Sequence, residues 1–585
     1  TKCGDESGCK KETNSRKVGS NRLIFNMWNV KLSKWFICFV IYELGVAVVK
    51  RALHLLFICS FLLIGCSEED GTPSIEIPAH ENAKIQLSVE GKKLMKDDVR
   101  TETYVNRVTD TRYSFRVESD GEQIGTIHVT TRELDNGDVF VFTKLENNME
   151  EPLKVYLNIP LNDVNRYEVN DWDQRHVEHQ HDKTTGVDET TGPIGLMKVF
   201  NYDEEKFELV LSKNYQSRKL TKKYEDGRKS IVRELIKEEK RFYTYLNNDQ
   251  LVISLPMASS GKDISESWLL LSSDRLFEKE ENLQKWIDFH LDNYKAAKSW
   301  LTAEGPYKKL PWSIEPGTKL GYGRNLGLIQ DKTALDSFEQ YRERYYYDLV
   351  LNSMADLLAF KNEKGTAIWE TEYTSTWLKK AYGTTAPYID TRHNENIALF
   401  LTRVGNLLNI EELKNAITIY GDYLIEQVEI GNTIQVGEGY LIADYFSPYD
   451  QSQKTHASLN HILGGVNLLL DCYSATGNEK YLDVALHIIK GVEELGEQWI
   501  RDSGDLWYQV NPDLTFTGND YELLTLIDLL TTQEKLEEIQ LERNQMLDRF
   551  IRSKASYLVR EEKEMYDYVK EMLVNQGFGD ILKEE

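Results

Sequence analysis

Tyr445, Tyr508 and Tyr521 each stand at the end of a helical segment, and each has an aspartate close in sequence: Asp444, Asp505 and Asp520. A phenol in a polar loop at a helix end can face a groove, whereas one on an apolar stripe packs inward. In a groove it can stack on a sugar or move a proton. A free phenol titrates near about 10, so it is a poor base and a ready donor at neutral pH. A nearby cation lowers that value and a neighbouring carboxylate raises it. Arg392 and His393 in YIDTRHNEN, His456 in THASLN and Trp507 add groups that hold carboxylates, hydroxyls and ring faces. Glu370, Glu372, Asp390, Asp444 and Asp505 could supply the two carboxylates of a glycoside hydrolase.

The elements that must position these residues are helical. From about Thr333 the apolar residues recur at helical spacing. Asn409, Leu413 and Ala416 align with Asn478, Leu482 and Ala485 at an offset of 69 residues. Successive αα-hairpins of this kind bury one face against the next. Closed into a ring they form an α/α-toroid, with loops 365–393, 430–454 and 500–520 gathered at one end around a groove.

The preceding half reads as antiparallel β. Runs such as RYSFRVES and DVFVFTKLE alternate apolar with polar residues, and Asp120-Gly121 and Asn136-Gly137 are hairpin signals. The expected fold class is α+β multidomain. A tether at 67–82 leads to a β-sandwich at 83–160 and a β-rich domain with linker at 161–330. The toroid occupies 331–532 and a helical tail 533–585. His176, His179 and His181 read as a solvated loop, and no metal or cofactor is expected; no Walker or Rossmann pattern is present.

The formal net charge of −25 over 585 residues argues against nucleic acid as a partner. An acidic ligand needs a local basic patch. Lys50-Arg51 precedes the apolar run ALHLLFICSFLLIG, then Cys66 and a polar stretch. This is a secretory signal over 50–66 whose end resembles the bacterial lipobox. Cys66 is then the lipidated first residue of a protein anchored on the extracytoplasmic face of the cell membrane. Residues 1–49 read as an extension upstream of a start near Val49.

Four motifs, Asp444-Tyr445-Phe446-Ser447-Pro448, Leu459-Asn460, Gly504-Asp505-Leu506-Trp507-Tyr508 and Asp520-Tyr521, resemble the C-terminal domain of D-glucuronyl C5-epimerases, which act on heparosan and heparan sulfate. The resemblance covers the layout of residues 340–530. Where that family carries a histidine after the final Asp-Tyr, this chain has Glu522-Leu523-Leu524-Thr525. The resemblance implies a carbohydrate epimerase of the isomerase class acting on an acidic, heparosan-like polysaccharide. Tyr508 and Tyr521 would be the acid/base pair and Tyr445 their assistant. Arg392 and His393 would bind the uronate carboxylate, with Asp444, His456 and Trp507 beside it. The alternatives are a polysaccharide lyase or glycoside hydrolase on the same scaffold, and a glycan-binding lipoprotein without catalysis.

Overall fold

Alternating apolar and polar residues rich in Val, Thr, Phe and Tyr favour extended chain, and from Ile75 to Ser272 the strands pair antiparallel throughout. The computed structural model describes residues 74–583, apart from 81–82, 173–190, 248, 294–296 and 451–452. The signal, Cys66 and the His176–His181 run lie outside the described residues.

Five strands form a small sheet in the order Ile75–His80, Ala83–Val89, Leu153–Asn162, Gln250–Ser259, Tyr243–Asn247. A larger sheet of 13 strands is built on the run Lys93–Tyr104, Val108–Ser119, Glu122–Leu134, Val139–Asn147, Ile264–Ser272. Ile85, Leu157 and Ile253 from the small sheet interdigitate with Phe115, Ile127, Val141 and Leu269 from the large one. At the Asp120-Gly121 turn both residues are left-handed, with φ of 54° and 84°. That geometry suits a two-residue hairpin and explains the Asp-Gly pair.

The expected boundary at 160/161 does not separate two domains. Leu153–Asn162 pairs along its length with Gln250–Ser259, and Val139–Asn147 pairs with Ile264–Ser272. Residues 83–160 and 195–272 therefore interleave in one sandwich. Period-two patterning reports that a segment is a strand but not which strand it meets. The expected linker is also sheet in part: Ser299–Trp300, Tyr307–Lys309 and Gly321–Gly323 extend the large sheet beyond Lys229–Glu239.

The outer face of the large sheet meets helices. Phe140 and Trp268 share a core with Trp286 of the Glu280–Asp292 helix and with Tyr345 and Leu349 of the Arg344–Lys364 helix. Arg132, fully buried, ties the layers together. Its guanidinium lies 2.7 Å from Asp110 on the neighbouring strand, and 2.5 Å from Asp356 and 2.7 Å from Asn352 on the helix.

Three helical hairpins follow: Thr391–Leu408 with Ala416–Glu429, Leu459–Thr476 with Glu479–Leu495, and Leu524–Glu538 with Gln545–Arg560. The first helices of the first two hairpins begin and end 68 residues apart, and both close on a left-handed residue, Asn409 and Gly477. The second helices begin 63 residues apart, at Ala416 and Glu479, because the short helix Glu411–Lys414 intervenes only in the first hairpin, so the 69-residue offset expected from the sequence does not carry through them. Leu459–Thr476 is apolar nearly all round and packs against the helices Thr391–Leu408, Ala416–Glu429, Glu479–Leu495 and Leu524–Glu538. The expected tail is part of this body. Leu524–Glu538 spans the 532/533 boundary, and Phe550, Ile551, Leu558, Val569 and Leu573 join the same core.

Candidate functional site

The chain ends of these hairpins bring the three tyrosines together through two small sheets. Ile389–Asp390 pairs with Tyr445–Phe446, which sets Asp390 directly opposite Tyr445. Trp507–Val510 runs between Ala457–Ser458 and Phe516–Asn519, so Tyr508 sits on a central strand and the next strand delivers Tyr521. Gly518, at φ 86°, makes room for Tyr508: a Cβ there would lie 2.9 Å from the Tyr508 Cβ.

Edge-to-face and tilted aromatic contacts then link the cluster. The Tyr508 and Tyr521 rings stand 5.7 Å apart, Tyr508 lies 6.2 Å from His456, and Tyr445 lies 5.8 Å from His456 and 6.0 Å from His461. Trp377 and Tyr388 close the far side of Tyr445 at 5.8 and 5.9 Å. Tyr521 is 52% exposed and forms the open rim, while Tyr445 and Tyr508 are half-buried.

Asp444 is buried at the centre of the polar floor. Its carboxylate accepts from the Ser458 backbone N–H at 2.9 Å and from the Ser458 hydroxyl. His456 Nε2 lies 3.2 Å from it, and His456 Nδ1 meets the Tyr382 hydroxyl at 3.0 Å. Burial works against the Asp444 charge, yet His461, His456 and Ser458 hold its carboxyl below the usual range. The Asp444 carbonyl accepts from Thr391 N–H, so one residue ties the starts of two helices. His461 Nδ1 is engaged by Thr391 Oγ1 at 2.8 Å, which leaves Nε2 without a partner among the described residues. Burial lowers the His461 pKa below its ordinary value, so the imidazole is neutral at pH 7.

Burial raises the pKa of all three tyrosines, reinforced by Asp390 at each, by Asp444 at Tyr445 and Tyr508, and by Asp520 at Tyr521; Tyr445 is raised most strongly. These phenols stay protonated at neutral pH. Arg392 is spoken for. Its guanidinium bonds both oxygens of Glu395 at 3.0 Å, the Asn460 carbonyl at 3.0 Å and Asp528 at 3.0 Å. Burial lifts the two carboxyls, Glu395 to about 7 and Asp528 to about 6, against the pull of Arg392. Gly464 permits this knot: a Cβ there would sit 1.8 Å from Arg392 Nη1. His393 lies over Gly327, with Nδ1 3.5 Å from Asp390. Trp507 lies beneath Arg501 at 4.8 Å and, being next to Tyr508 on a strand, on the opposite face.

The aspartates adjacent to the tyrosines do other work. Asp505 and Asp520 both grip buried Lys554, at 2.6 and 2.9 Å, and so pin the two loops that carry Tyr508 and Tyr521 to the Gln545–Arg560 helix. Sequence reasoning missed Ser458, His461, Tyr382 and Trp377. His461 directly follows Leu459-Asn460, so its signal was adjacency to a motif already in hand.

No protein-family model and no curated protein matches the chain. Among solved structures, cellobiose 2-epimerase from Spirochaeta thermophila is 14% identical over 35% of this chain and 51% of its own, with a TM-score of 0.28. Cellobiose 2-epimerase from Bacillus thermoamylovorans is 14% identical over 49% and 72%, with a TM-score of 0.35. A family 76 glycoside hydrolase from a bovine Bacteroides thetaiotaomicron strain is 11% identical over 72% and 75%, with a TM-score of 0.32. The chain spans about half the length of the first of these.

Proposed function

We propose that this protein is a C5-epimerase of a uronate-containing polysaccharide, its hairpins belonging to an α/α-toroid. The observation that carries the reading is the convergence of Tyr445, Tyr508 and Tyr521, from separate segments, with His456 between Tyr445 and Tyr508 and with His461, whose Nε2 is open, beside Tyr445. The motifs shared with glucuronyl C5-epimerases point the same way. Epimerisation removes the proton on the carbon next to the uronate carboxylate and returns one to the other face. His461 Nε2 takes the C5 proton, and the electron pair left behind spreads into the carboxylate. Arg392 is already neutralised by Glu395 and Asp528. The developing charge is therefore met by hydrogen bonds from phenols that remain protonated. Tyr508 or Tyr521 then donates its O–H proton to the opposite face of C5. Exchange with solvent through Tyr521, at the rim, resets both groups.

The test is deuterium uptake at C5 of heparosan incubated with the full chain in heavy water. Tyr508→Phe is expected to lower that uptake by about 10²-fold or more. Heparosan binding without any uptake would sink the epimerase reading, and an unsaturated-uronate absorbance would replace it with a lyase. The same proposal places the mature chain outside the cell membrane on a lipid at Cys66. Metabolic palmitate labelling that survives Cys66→Ser would remove that part.

A further inference from the structure

A cavity of about 390 Å³ lies between the large sheet, the Glu280–Asp292 helix and the first turns of the Lys332–Tyr341 and Arg344–Lys364 helices. No residue of the tyrosine cluster lines it. Its volume falls in the range of about 300–1,000 Å³ common to small-molecule sites. Trp172, Trp268, Trp286, Trp300, Tyr215 and Tyr345 wall it. These rings brace one another. Tyr215 stacks on Trp300 at 5.4 Å, and Tyr345 meets Trp172 and Trp286 edge-on at 6.1 and 5.4 Å. The walls are therefore flat and rigid. Phe289 and Leu328, 36% and 49% exposed, mark the mouth.

The charges of this lining do not balance. Among the described residues it holds Lys308, Lys332 and a single carboxylate, Asp331. Asp331 caps the Lys332–Tyr341 helix, accepting from the Ala334 N–H at 2.9 Å, and forms an ion pair with neither lysine. Lys332 donates to Asn396 Oδ1 at 2.6 Å. The Lys308 ammonium has one hydrogen bond, a long one of 3.5 Å to the Ser299 hydroxyl, and no ion pair among the described residues. Burial holds its pKa below the ordinary lysine value. His290 adds no charge: its Nδ1 is bonded to the Trp286 carbonyl at 2.9 Å, and burial pushes its pKa down to about 4. Three lining side chains, each more than nine-tenths buried, also hold a polar atom without a partner. These atoms are the indole nitrogens of Trp172 and Trp268 and the side-chain carbonyl oxygen of Gln330. Orphaned polar atoms are costly, and rare, in a filled core.

We propose that this cavity binds a small molecule with a flat apolar body and a single carboxylate, the body held between the tryptophan rings and the carboxylate on Lys308. One ammonium without a counter-ion calls for one anion. Rigid ring faces suit a planar body better than a bending acyl chain. A sugar would turn hydroxyls on every side toward walls that are mainly ring carbon. The site stands apart from the sugar chemistry proposed above and holds whether or not that reading does.

The test is calorimetric titration of the full chain with cinnamate, with cinnamyl alcohol, octanoate and glucuronate alongside. Cinnamate should bind, and cinnamyl alcohol, the same body without the charge, should bind about tenfold more weakly, the scale of one charge-assisted hydrogen bond. This comparison needs only the wild type. Lys308→Met should weaken cinnamate about tenfold and leave the alcohol as it was, a split that damage to the fold would not give. Leu328→Trp, at the exposed mouth, should weaken both. Equal affinity for cinnamate and its alcohol in the wild type would overturn the proposal. So would equal loss of both in Lys308→Met, cinnamate binding that ignores the two variants, or no cinnamate binding at millimolar concentration. Octanoate or glucuronate binding as tightly as cinnamate would overturn it as well.

Discussion

Gly464→Ala tests the knot beneath the tyrosine cluster. The added methyl would sit 1.8 Å from Arg392 Nη1 and 2.1 Å from Glu395 Oε2, far inside contact distance. The Leu459–Thr476 backbone is packed on four sides and cannot retreat, so the guanidinium must leave. Glu395 and Asp528 then lose their counter-charge in a buried setting, which costs about 3–5 kcal/mol. Replacing a mid-helix glycine with alanine returns about 1 kcal/mol, leaving about 2–4 kcal/mol of destabilisation. The loss should depend on pH. Without Arg392 both carboxyls bind protons up to higher pH in the folded state than the wild-type values of about 7 and about 6. Folding then takes up protons, so stability falls as pH rises through those values. The deficit should widen by about 2 kcal/mol between pH 6 and pH 8, from one to two pH units at about 1.4 kcal/mol each. The assay is urea unfolding of the full chain by tryptophan fluorescence at both pH values. A midpoint matching wild type at pH 8, or a deficit that narrows with rising pH, would refute the reasoning.

Arg132→Met should destabilise by about 3–5 kcal/mol, because Asp110 and Asp356 would be left unpaired between the sheet and its helix; the same urea titration reads it. Gly518→Ala should cost about 1–2 kcal/mol for a side chain at φ 86°, and it should slow C5 exchange as well, since the methyl displaces Tyr508. The acid limb of C5 exchange should fall below the ordinary histidine value of 6.5, because burial lowers the His461 pKa. The neutral base is present above its folded pKa and lost as pH drops through it. His461→Gln should abolish exchange at every pH.

Local chemistry was legible in the sequence and long-range pairing was not. Asp120-Gly121 announced its turn because two left-handed residues in a row leave few other choices. The helical hairpins were visible from their period, and the Gly477-Asn478 break became a C-cap followed by an N-cap. The 160/161 boundary was invisible because strand partners lie far apart along the chain. Adjacency also misled. Asp444 and Asp520 precede their tyrosines, yet neighbouring side chains diverge, so these carboxylates turn to Ser458 and Lys554. The carboxylate facing Tyr445 is Asp390, brought across by strand pairing. Lys554, in what read as a peripheral tail, proved to be the pin behind two tyrosine loops.

The interleaved sandwich also dictates how the chain can be made. Ala83 pairs with Leu161, and Leu153 pairs with Ser259. A chain emerging from its N-terminal side holds Leu153–Asn162 and Val139–Asn147 with open edges until Gln250–Ser259 and Ile264–Ser272 arrive. Such edges template pairing with other copies, and contacts this distant in sequence close slowly. The half-made protein is therefore its most aggregation-prone form. A holding chaperone should raise its yield more than any substitution in the helices, and a fragment ending at residue 160 should precipitate rather than fold.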